Sequence, residues 1–166
     1  EWDVSDSQGS LLTIAVNIGF LVGALLSFFI NLPDKLRPSV AMGIGSFLSA
    51  LFNACLLIPD LGFNGAIAMR FCSGLCVTLI YPMGCKSACT WFLEGRGFAL
   101  SVALAALVLG SSMPHLINSA FTFEWRTLVI SCSVLNVVAG IADFLLLKEG
   151  PHYVVRSNAL PSDPTK

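Results

Sequence analysis

The chain has 166 residues, 55% of them hydrophobic and only 11% charged, with nine Lys and Arg against ten Asp and Glu and a net charge of −1. A soluble domain carries about 25% charged residues, so there are too few here to solvate a globular surface, and the balance excludes a nucleic-acid face. With a mean hydropathy of +0.81, the expected class is an all-α polytopic transmembrane bundle.

In chain order, residues 1–10 read as an extracytoplasmic segment. The chain starts at Glu1 and no signal peptide precedes the first apolar run, so it reads as a piece of something longer. Five apolar runs follow, at 11–30, 39–58, 63–83, 97–117 and 126–147. Each is close to the roughly twenty helical residues that cross about 30 Å of hydrocarbon. Trp2, Phe63, Trp91 and Trp125 fall at the expected interfaces, where amphipathic rings settle. Residues 148–166 read as a cytoplasmic tail or the start of a central linker, because Gly150 and Pro151 stop the last helix.

Lys and Arg alternate between the connections. Lys35 and Arg37 lie in 31–38, Lys86 and Arg96 in 84–96, and Lys148, Arg156 and Lys166 in the tail. Residues 1–10, 59–62 and 118–125 have none, and Arg126 sits at a span boundary. Cytoplasmic loops retain cations, so the N-terminus is expected outside and the C-terminus inside. Gly19-x-x-x-Gly23 and Gly45-x-x-x-Ser49 have the spacing that lets membrane helices approach closely.

Three stretches, in order, carry a family resemblance: Leu32-Pro33-Asp34-Lys35-Leu36-Arg37-Pro38, then Arg70-Phe71-Cys72-Ser73-Gly74, then Tyr81-Pro82 through Lys86, Trp91-Phe92 and Arg96-Gly97-Phe98-Ala99. Over roughly residues 9–151 the chain resembles the major facilitator superfamily of secondary transporters. The resemblance implies that the five spans are helices two to six, with a first helix and a C-terminal half supplied by the parent chain. It also implies that a small solute moves by alternating access, and that Asp34, Lys35 and Arg37 form a cytoplasmic latch. Glu94 and Asp143 are candidate partners of the latch cations, and Lys86 and Arg96 belong to the same charged rim. Gly74, Pro82 and Gly97, within the matched motifs, join Gly19 and Gly23 as helix-packing residues.

Charges and amides inside a span are the informative residues, since lipid makes them expensive. At about 1.5 Å per residue, Arg70 lies about 10 Å below the outer boundary and Asn17 and Asn53 about 9 Å below it. Polar groups at one depth suit a solvated cavity wall, with Arg70 facing an anion or a coupling carboxylate. Alternatively, each amide bonds a neighbouring helix and Arg70 snorkels or pairs elsewhere. Asn136 near mid-depth fits substrate contact or packing. His115, within about 3 Å of the outer end, could relay protons or serve as a satisfied interfacial residue, beside a kinking Pro114. Asp143, about 25 Å from the outer end, could bind a proton or pair with Lys35, Arg37, Lys86 or Lys148.

Six cysteines lie in or beside the apolar runs and read as small packing residues, without the His or acidic neighbours of a metal site. No hydrolase, metalloprotease or phosphate-loop motif occurs, so neither a cofactor nor an enzyme is expected. The rival readings are a truncated or regulatory membrane protein that packs with a partner and, more remotely, an intramembrane enzyme.

Overall fold

The computed structural model describes residues 6–58, 61–92, 94–120, 125–148 and 150–151. Trp2 and the side chains of Asp34, Pro114 and His115 lie outside the described residues. Everything described is helix and connection: α1 (Asp6–Ile30), α2 (Leu32–Lys35), α3 (Pro38–Ala54) closing in a 3-10 turn (Cys55–Leu57), α4 (Gly62–Val77), α5 (Tyr81–Trp91), α6 (Arg96–Ala120) and α7 (Trp125–Leu146). Among the described residues, five helical stretches are long and apolar enough to cross a membrane. The protein is an all-α membrane bundle.

The interruptions follow from local chemistry. Asn31 takes a left-handed conformation (φ 52°), which an amide side chain tolerates, and ends α1 before the Pro33 turn. Arg37 is held extended by the proline behind it, and Pro38 then opens α3 where its missing N–H costs nothing. Pro82 cannot donate to the helix, so the chain tightens at 78–80: Leu79 and Ile80 donate to the carbonyls of Cys76 and Val77, and the helix restarts at Tyr81. The third stretch therefore continues beyond its apolar run. Together α4 and α5 cover 30 residues, about 45 Å at the helical rise, so α5 reaches past the hydrocarbon and carries Lys86 toward water. By contrast, α6 passes through Pro114 as one helix.

Packing inverts the soluble pattern. Buried positions are mostly small or polar, among them Ala66 at 0% exposure, Thr78, Ser46, Ser49 and Ser73, whereas Phe29, Phe98 and Leu146 are about three-quarters exposed. Water would not tolerate that surface, and lipid tails do. The seams are built on glycine. A methyl group at Gly19 would overlap the Phe71 carbonyl and one at Gly74 the Val16 carbonyl, so α1 and α4 meet backbone to backbone. Gly23 lies against Thr78 one turn further along, and Thr78 Oγ1 donates to the Phe20 carbonyl at 3.3 Å. α3 runs between α4 and α7, with Gly45 against Leu79 and Gly140 against Phe47. Gly97, expected among the packing glycines, has open space around it. α6 packs on α5, and no residue of Arg96–Met113 is buried.

Candidate functional site

Asn53 stands on the last turn of α3, where that helix passes between α4 and α7. Its Nδ2 donates to the Val129 carbonyl at 3.1 Å and to Ser133 Oγ at 3.0 Å, both on α7. Its Oδ1 accepts from Arg70 Nη1 of α4 at 3.4 Å. One amide thus ties three helices. About one turn deeper, Ser49 and Ser73 share a hydroxyl hydrogen bond at 3.3 Å. Hydrogen bonds of this kind between membrane helices are worth about 0.6 to 2 kcal/mol each, enough to set the register of α3 between its neighbours.

Arg70 borders two cavities. The larger, about 570 Å³, is walled by α1, α3, α4 and α7 and includes Asn53, Ser49, Ser73, Cys132 and Asn136. The smaller, about 290 Å³, lies along α1 and includes Thr13 and Asn17. A guanidinium has five N–H donors. Among the described residues Asn53 is its acceptor, at a distance long enough for the group to shift toward an occupant.

Arg70 thus bonds Asn53, shares the larger cavity with Asn136 and shares the smaller one with Asn17. His115 is on α6, and its side chain lies outside the described residues. From the sequence Ser49 and Cys132 read only as small packing residues and Ser73 only as part of a family motif, and Ser133 is not singled out. The available signal was spacing: Ser49 precedes Asn53 by four, Ser73 follows Arg70 by three, and Cys132 precedes Asn136 by four, each on its neighbour's face.

At the opposite end, α2 lies against α1 and α5, next to the helix that carries Lys86. Lys35, Arg37, Glu94 and Arg96 are exposed there, and Arg96 Nε donates to the Phe92 carbonyl at 3.0 Å. Asp143 accepts from Ser46 Oγ at 3.4 Å across the α3 and α7 seam, beside a stacked Phe47 and Phe144 pair with centroids 6.0 Å apart. The chain leaving α7 is pinned to the end of α5: Trp91 Nε1 donates to the Lys148 carbonyl at 3.1 Å, and the Gly150 amide donates to Thr90 Oγ1 at 3.2 Å. Among the described residues, no cluster of His, Cys, Asp or Glu could hold a metal.

The family model of the Major Facilitator Superfamily matches residues 1–166. The chain belongs to that family. No curated protein and no solved structure matches it. A charged cavity bounded by four membrane helices agrees with a major facilitator protein, a family of multi-pass transporters.

Proposed function

We propose that the chain forms five spans of a secondary active transporter that moves a small solute by alternating access. In this reading the N-terminus is outside, the C-terminus is cytoplasmic, and the parent chain completes the cavity wall with a first helix and a second half. The observation that carries it is Arg70 on a cavity of about 570 Å³. On insertion scales an arginine at mid-span costs about 3 kcal/mol, and a merely structural helix has no use for one that faces an open space. Asn53, Asn17 and Asn136 are the polar neighbours that orient the solute.

Gating is assigned to the other end. Lys35, Arg37, Lys86 and Lys148 gather where α1, α5 and α7 finish and α3 begins, as cytoplasmic loops do. Asp34, Glu94, Arg96 and Asp143 join them as the groups that latch and release. The break at 78–80 lies between Arg70 and Lys86 on one continuous stretch, so tilting of α5 against α4 connects cavity and gate.

Uptake by the full-length parent protein in proteoliposomes tests this. Arg70→Ala is expected to lower uptake at least about tenfold, as loss of a buried charge contact does, at unchanged protein abundance. Asp143→Ala should slow cycling while leaving solute binding intact. Unchanged uptake with Arg70→Ala would remove the cavity from the transport path.

A further inference from the structure

The large cavity is graded along its length. At one end Leu56, Ala66 and Val129 form a buried apolar cluster, with Leu12 packed against it, and Trp125 completes that end at the start of α7. Arg70 lies four residues beyond Ala66 and Asn136 eleven beyond Trp125, about 6 Å and 16 Å deeper at the helical rise. The cavity is therefore elongated, with an apolar end and a polar end, and the guanidinium sits at the transition.

The second observation is Arg126. It is the only Lys or Arg in the connections at this end of the bundle, 1–10, 59–62 and 118–126. Its guanidinium carbon stands 5.5 Å from the ring centroid of Trp125, which borders the cavity. Of the two cations placed away from the cationic rim, Arg70 lines the cavity and Arg126 stacks on Trp125, which lines it.

From this gradient and these two cations we propose that the site takes a small organic monoanion, a carboxylate joined to an apolar body. The proposal rests on the transporter reading above and names its substrate class. A carboxylate meets a guanidinium in a two-bond fork, with Asn53 and Asn136 alongside, and its apolar part lies against Leu12, Leu56 and Val129. Among the described residues one half-buried cation lines this cavity, and it compensates one charge. A dianion would keep a second charge in a medium that penalises it, and a cationic solute would face Arg70 as a like charge. The connections 1–10, 59–62 and 118–126 also contain Glu1, Asp3, Asp6, Asp60 and Glu124 against the single Arg126, so no long-range field draws anions there. Recognition is local, and it acts on retention more than on encounter.

The test uses the purified full-length parent protein, with thermal stabilisation as the binding readout and phenylacetate, phenylacetamide, sulfate and laurate as probes. Phenylacetate is expected to raise Tm saturably, while its uncharged amide and sulfate do not. Arg70→Gln should weaken phenylacetate about thirtyfold or more, as loss of a buried charge partner does. Arg126→Gln, at an exposed edge, should weaken it no more than about fivefold. Equal stabilisation by acid and amide on the unmodified protein overturns the proposal whether or not the variants fold. Stabilisation by laurate alone overturns the small-solute class, because the carboxylate is then recognised only on a long acyl chain. Phenylacetate binding without uptake of any probe into proteoliposomes supports the anion site while the transport reading fails. Arg70-dependent uptake of a neutral or cationic solute keeps transport and overturns the anion class.

Discussion

Asn53 on α3 presents its carbonyl oxygen to Arg70 on α4 at 3.4 Å, while its amide nitrogen is committed to Val129 and Ser133 on α7. The side chain is oriented by α7 and is therefore a fixed acceptor for the guanidinium.

Replacing Asn53 separates two roles. Asn53→Ala removes three hydrogen bonds between helices and should lower stability by about 1 to 3 kcal/mol, measured by thermal unfolding in detergent. Asn53→Asp places a carboxylate beside Arg70 but loses the donor to the Val129 carbonyl, so some stability should be lost here too, while anion binding is lost by competition.

Gly74→Ala tests the close seam. The added methyl would overlap the Val16 carbonyl, and neither backbone has room to yield. A loss of about 1 to 3 kcal/mol is expected, with α1 displaced from α4. Gly110→Ala, at a position with open space around it, should be neutral or mildly stabilising by the same unfolding measurement.

Orientation can be read by labelling. A cysteine placed at Asn64, near the start of α4, should react with an impermeant thiol reagent added outside intact cells, and one at Arg37 should not. Asn64 is preferred to Gly62, whose positive φ of 64° disfavours any side chain. The reverse pattern would invert the bundle.

The pin between α5 and α7 should be measurable by hydrogen exchange. Thr90→Val removes the acceptor for the Gly150 amide, and Trp91→Phe the donor to the Lys148 carbonyl. Each should speed exchange over residues 143–150 with a local loss of about 1 kcal/mol, leaving α1 unchanged. No change at the end of α7 would mean that the contacts do not restrain it.

Cys132 borders the larger cavity. In a variant retaining it as the sole cysteine, a small thiol reagent should label it, and phenylacetate should slow the labelling. Labelling indifferent to phenylacetate would place the anion outside this cavity.

Five bilayer spans were legible in one dimension, because hydrocarbon thickness acts on each helix separately, and the family was legible in three ordered motifs. Arg70, Asn17 and Asn53 were matched by depth alone. Depth says nothing about rotation, so whether they faced one another or three different neighbours had to wait for packing. The same limit hid the hydrogen bonds of Ser49, Ser73 and Ser133, whose hydroxyls matter through the helix opposite.

The sequence by itself determined that the solvent is lipid, how many helices cross it, and where cations collect, since these depend on local composition over about twenty residues. Tertiary structure alone decided that Asn53 joins α3, α4 and α7, that Gly19 and Gly74 bring two backbones together, and that Arg70 and Asn136 line one cavity. Those relationships are set by the rotation and crossing of helices far apart in the chain, and they depend on which small side chains let two surfaces meet.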